Sequence, residues 1–297
     1  MKPFKTLASI VGIVAVLGAL TACAPLAVIN AVTPTSTYHK TGNLAYGTDA
    51  RDRLDVYTPA GQTRPAPVVV FFYGGNWNSG ERGDYAFVGQ ALASRGIVAV
   101  IADYRLYPQV RYPDFLTDSA KAVAWAVREV KNYGGDPQQL FVMGHSAGGY
   151  NAAMVALDER LLAAQGLSPA VLRGWIGLAG PYDFTPIENP DTRPVFLFPN
   201  TPAASQPVNH VTPRAPRTLL IASNKDRLVD PQRNTGGLAK RLRSAAVPVS
   251  EVYFDHTTHT TLVGAISLPL RGLAPVLDTI DAFVHAPDQA LSVAVPR

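Results

Sequence analysis

Cysteine is nearly absent. Cys23 is the only one among 297 residues, which excludes a disulfide within the chain and a zinc site built on paired thiolates. Charge is also sparse, at 16% of residues with a formal net charge of +4. Lysines and arginines are scattered, and the one mild cluster, Lys240, Arg241 and Arg243, suits the solvated face of a helix, so no nucleic-acid partner is expected. There is no H-E-x-x-H string and no P-loop lysine, and the glycines between 144 and 149 lack the spacing of a dinucleotide loop. No metal and no cofactor is expected. Repeats and low-complexity tracts are missing, and the longest apolar stretch, residues 7–20, is too short for a bilayer span.

That stretch carries information about location. Lys2 and Lys5 precede it, and Leu20-Thr21-Ala22-Cys23 closes it with small residues before the cysteine. The segment resembles a bacterial lipoprotein signal with its lipobox. The resemblance implies cleavage after residue 22, lipidation of Cys23, and an exported protein anchored in a membrane, facing the periplasm or the cell surface. The cleaved chain would carry a net charge of about +2, since Lys2 and Lys5 leave with the signal. Residues 23–44, low in charge and marked by Pro25 and Pro34, are expected to be a tether with little fixed structure in its first part.

With 47% hydrophobic residues, the remainder is long enough to bury a sizeable core in one domain. Residues 54–57 alternate as an outer strand does, whereas 68–72 and 97–102 are continuous apolar runs suited to strands buried on both faces. Between those runs, Phe87, Val88, Ala91 and Leu92 recur at helical spacing over 85–94, giving a β-α-β unit. The pattern predicts a helix over 114–132, a strand at 140–143, a helix after Ser146, and strands at 174–178, 218–222 and 249–254. Further helices are predicted over 231–245 and 275–284. The fold class is α/β, a mostly parallel central sheet with helices on both faces. Residues 183–216 contain eight prolines, too many for a regular element, and are expected to form a short insertion over the active-site end of the sheet.

The most informative string is Gly144-His145-Ser146-Ala147-Gly148, set between a strand and a helix. A serine hydroxyl is a weak nucleophile, and a tight strand-to-helix turn is the device that exposes it. Such a serine needs a base, an acid to orient the base, and donors for the oxyanion, with the acid and then the base following it in the chain. His39 is too early, His145 is inside the turn, His210 is in the insertion and His285 lies beyond the last helix. His256 and His259 remain, both after strand 249–254. His259 is the choice, because Asp255-His256-Thr257-Thr258 gives the chain room to turn back, and His256 then packs the loop. Asp226 and Asp230 follow strand 218–222. Asp226 is nearer the strand end, while Asp230, before Pro231, suits a helix N-cap. Oxyanion donors are expected from Ala147 and from the loop Tyr73-Gly74-Gly75-Asn76-Trp77, hence Gly74, Gly75 and Asn76. Trp77, Tyr150 and Tyr182 are candidates for the substrate pocket, with Tyr104 and Tyr107 among further aromatics of core or pocket wall.

Together with Asp103-Tyr104-Arg105-Leu106, these motifs resemble the α/β-hydrolase superfamily, in its carboxylesterase and lipase group, near the hormone-sensitive-lipase-like and kynurenine-formamidase-like branches. The resemblance covers roughly residues 45–285. It implies a catalytic domain over 45–286, with 287–297 as a tail, and a serine hydrolase cleaving short-chain or aryl carboxylic esters through an acyl-enzyme. An amidase or arylformamidase of the same fold, and a surface-anchored binding protein without turnover, are the alternatives. Those branches carry a histidine before the paired glycines, where this chain has Tyr73, whose hydroxyl is a candidate substitute.

Overall fold

The computed structural model describes residues 25–287. Its centre is an eight-stranded sheet of β1 (Tyr38–Ala45), β2 (Arg53–Pro59), β3 (Ala66–Phe72), β4 (Val98–Ala102), β5 (Gly135–His145), β6 (Leu172–Leu178), β7 (Thr218–Ser223) and β8 (Val249–Phe254), in the spatial order β1-β2-β4-β3-β5-β6-β7-β8. Strands β4, β3 and β5 to β8 run parallel, while β2 is antiparallel to both β1 and β4. Every residue of β3, β4 and β7 is buried, as parallel strands covered on both faces require. The cover comes from helices that pack in pairs: α2 (Ala86–Ala93) meets α8 (Val276–His285), and α3 (Asp114–Glu129) meets α4 (Ala147–Leu157).

The sheet reaches further towards the N-terminus than the sequence suggests. Residues 25–44 were expected to be a tether; instead, Pro25–Ala31 is helix α1, and β1 occupies 38–45, paired along β2. The reason the pattern concealed it is physical. As an edge strand β1 is exposed along nearly all its length, so it lacks the apolar alternation by which a half-buried strand is read. The predicted helix 114–132 is α3 followed by a 3-10 turn, Val130–Tyr133, closed by Gly134 at φ 78°. The predicted helix 231–245 opens with a π turn, Gln232–Gly236, before α6 (Gly237–Ser244); the short α5 (Glu159–Ala163) precedes it.

The proline-rich segment holds only two 3-10 turns, Ala203–Ser205 and Pro207–Asn209. It nevertheless packs firmly. Phe196 is buried edge-on to Trp77 with ring centres 4.7 Å apart, and the Tyr150 hydroxyl donates to the Ser205 carbonyl at 2.8 Å.

Candidate active site

The turn after β5 is steric necessity made visible. A methyl group on Gly148 would lie 2.0 Å from the Phe72 carbonyl oxygen, and one on Gly144 would lie 2.0 Å from the Gly148 oxygen. Only bare backbone lets β3, β5 and α4 approach this closely. Ser146 itself sits at φ 55°, ψ −123°, a left-handed conformation costing about 1–3 kcal/mol for a residue with a side chain. The surrounding packing maintains it, and the hydroxyl projects from the carboxyl end of the sheet.

Two loops from neighbouring parallel strands complete the arrangement. Asp226 follows β7, and its Oδ1 accepts the backbone amides of Leu228 at 2.9 Å and Val229 at 3.0 Å. Its Oδ2 lies 2.7 Å from His259 Nδ1, and His259 Nε2 lies 2.8 Å from Ser146 Oγ. Burial would raise the Asp226 pKa, but the hydrogen bond and charge of His259, with the two amides, outweigh it and leave the carboxyl below its usual range. The carboxylate is therefore ionised and aimed at the imidazole.

The base loop is more ordered than its sequence implied. His259 opens helix α7 (His259–Gly264), with Thr258 and Thr261 forming a reciprocal capping box. Buried Ser223 Oγ, at the end of β7, donates to the Thr257 carbonyl. His256, expected to pack the loop, is exposed. Asp230 does serve the start of its helix, accepting the amides of Gln232 at 2.9 Å and Arg233 at 3.0 Å.

The loop after β3 turns through three successive positive φ angles, Gly75 at 126°, Asn76 at 50° and Trp77 at 58°. Gly74 lies against the nucleophile: a methyl on it would be 3.0 Å from Ser146 Cβ. Burial and the charge of Asp84 push the Tyr85 phenol, beside this loop, up to about 12. Gly74, Gly75 and Asn76 are the loop residues on this side of the nucleophile, alongside Ala147. Ala147 is the first residue of α4, so its N–H has no acceptor within the helix. Tyr73 takes over the loop-holding role through its hydroxyl, which accepts from Arg51 at 2.7 Å and donates to Asp103 Oδ1 at 2.8 Å. Arg51 also bonds the carbonyls of Gly80 and Tyr104.

A cavity of about 590 Å³ opens over Ser146 and His259, bordered by Asn76, Trp77, Phe184, Ile187 and Leu228. Of the three aromatic pocket candidates, only Trp77 reaches it. Tyr150 and Tyr182 are fully buried outside that lining, Tyr150 standing behind Trp77 with ring centres 5.1 Å apart. Phe184 and Ile187, from the insertion, take the wall instead. Sequence reading missed them because proline-rich chain carries no periodicity from which a facing side can be inferred.

A doubly covered, mostly parallel sheet with a serine on a strained strand-to-helix turn, served by an aspartate and a histidine from later strand ends, defines the α/β-hydrolase class. Within it, the chain belongs to the BD-FAE family, whose profile matches residues 54–242. It is 29% identical over 269 residues to a probable isoprenylcysteine alpha-carbonyl methylesterase of rice, Oryza sativa subsp. japonica, covering 83% of this chain and 64% of that protein. It is 30% identical over 221 residues to the esterase LipC of Mycobacterium tuberculosis, covering 68% of this chain and 54% of that one. The chain thus spans less than two thirds of the length of these curated relatives. An esterase structure from Pyrobaculum calidifontis superposes with a TM-score of 0.70 at 22% identity, over 88% of this chain and 89% of its own, which supports the fold.

Proposed function

We propose that this protein hydrolyses carboxylic esters with short acyl chains. The observation that carries the reading is the continuous hydrogen-bond chain from Asp226 through His259 to Ser146, open to a cavity at its hydroxyl end. In the proposed cycle His259 Nε2 takes the Ser146 proton as Oγ attacks the carbonyl carbon. Asp226 keeps the other ring proton on Nδ1 and stabilises the imidazolium. The amides of Ala147 and of the loop Gly74, Gly75 or Asn76 receive the oxyanion, each such donor being worth about 2.7–4 kcal/mol in the transition state. His259 then returns the proton to the leaving alkoxide, and water, activated by the same base, frees the acyl group. The names of the rice and mycobacterial relatives agree with ester hydrolysis.

The cavity wall favours small acyl groups. Beside Trp77, Phe184 and Ile187 it carries Asp183 and Arg233, ion-paired at 3.1 Å, together with Glu188 and Asp230. A long alkyl chain laid along that wall would desolvate charges without replacing their hydrogen bonds. On p-nitrophenyl acetate, butyrate, octanoate and dodecanoate, kcat/KM should therefore fall with chain length. Rates that rise beyond decanoate overturn the preference, and faster cleavage of N-formylkynurenine than of phenyl acetate moves the reading to an amidase.

A lipid anchor at Cys23 is the accompanying proposal for location. Cys23, like the whole signal segment and residues 288–297, lies outside the described residues, and among those described no helix is long and apolar enough to cross a membrane. The proposal is supported by the small-residue motif before Cys23. Expressed in a bacterium with lipoprotein processing, the Cys23→Ser protein should move from the membrane pellet to the soluble fraction; unchanged sedimentation refutes the anchor.

A further inference from the structure

We propose that His145, which the cycle above does not use, is the positioning residue for the base, gripping the main chain of His259 from the position immediately before the nucleophile. The inference rests on the ester-hydrolase reading of the same site. His145 Nε2 lies 2.9 Å from the His259 carbonyl oxygen, and because a carbonyl can only accept, Nε2 carries the proton. The other ring nitrogen, Nδ1, is buried with no hydrogen-bond partner. It faces Gly74, where an added methyl would lie 3.3 Å away.

This geometry fixes the tautomer and the charge of the ring together. Protonating Nδ1 would create a buried cation with no acceptor, its ring centre 4.9 Å from that of His259. Burial first, and the His259 charge second, drive the His145 pKa down to about 3. The ring therefore stays a neutral donor while its neighbour gains and loses a proton. A permanently charged side chain at 145 would oppose formation of the His259 imidazolium, and an apolar one would leave the carbonyl grip empty.

The consequence is mechanical. His259 is fixed at its side chain by Asp226 and at its carbonyl by His145, while Ser223 fixes the Thr257 carbonyl two residues earlier. Both main-chain holds come from strand ends, β5 and β7. Since His145 adjoins Ser146 in the chain, the distance between nucleophile and base, 113 residues apart in sequence, is set across a single imidazole.

The test compares His145→Phe, which keeps a planar ring without a donor, with His145→Gln, whose side-chain amide can reach the same carbonyl. In the full chain acting on p-nitrophenyl acetate, His145→Phe should lose up to about a hundredfold in kcat with KM nearly unchanged, the scale of a roughly 1 Å misplacement. His145→Gln should recover most of that loss. The low-field proton resonance of the His259 Nδ1–H bond to Asp226 should be sharp in the wild type and Gln proteins, and shifted or broadened in the Phe protein. A folded His145→Phe protein with kcat within about twofold of wild type and an unaltered resonance overturns the proposal, as does a folded Gln variant as impaired as Phe. If Phe does not fold, Gln alone decides. If the wild type turns over no activated ester, the ester-hydrolase reading fails instead, and the resonance comparison still judges the His145 grip.

Discussion

Ser146→Ala should abolish turnover of p-nitrophenyl acetate while leaving the fold intact, with kcat falling on the order of a millionfold, the scale seen when a nucleophile acting as part of a unit is removed. The substitution deletes one oxygen and changes little else. Alanine is no better suited than serine to φ 55°, so the strain of the turn persists, and the lost hydrogen bond to His259 faces a cavity that water can enter. Near-ultraviolet circular dichroism and the thermal midpoint should therefore match the parent. Covalent labelling by a fluorophosphonate should vanish in parallel with activity. Labelling that survives in the alanine protein would place the nucleophile elsewhere and end the proposed chemistry.

Asp226→Asn should cost about ten-thousandfold in kcat through a change of one proton's position. The asparagine oxygen can still accept the Leu228 and Val229 amides, which turns the side-chain NH2 towards His259 Nδ1. That nitrogen must then accept, so the ring proton moves to Nε2 and points at Ser146 Oγ, and a base that already holds its proton cannot take another from the hydroxyl. The same variant has a pH signature. Because the Asp226 carboxyl is held below its usual range in the folded protein, it contributes stability above its unfolded pKa of about 3.9 and loses that contribution as pH falls through the lower folded value. Acid unfolding of Asp226→Asn should accordingly be less steep in this region than that of the parent. Retention of a tenth or so of the parent kcat would remove Asp226 from the relay.

The parts of this site that were legible in the sequence are those whose chemistry constrains residue type and order. A serine between glycines after an apolar strand, an aspartate just past a later strand and a histidine past the next are each forced into narrow windows, and the structure brings Ser146, Asp226 and His259 within hydrogen-bonding reach. The buried parallel strands were legible for a related reason: β3 and β4 are apolar throughout, and β7 is apolar over 219–222. What escaped was set by partners remote in sequence. β1 is defined by pairing with β2 and not by its own burial. Tyr150 and Tyr182 were taken for pocket walls on residue type, yet packing against Trp77 and Trp175 buries them. His145 was set aside because it lay inside the turn, although a titratable ring next to the nucleophile was the signal that pointed to it.

The relay is carried on the ends of β5, β7 and β8, whereas much of the cavity wall comes from the irregular chain between β6 and β7. Chemistry and selectivity are therefore separable inheritances in this molecule. Lining residues such as Phe184, Ile187 and Glu188 can change to admit a differently shaped ligand, while Phe196 and Ser205 of the same segment stay tied to Trp77 and Tyr150, much as a lathe accepts new tooling without a change of motor.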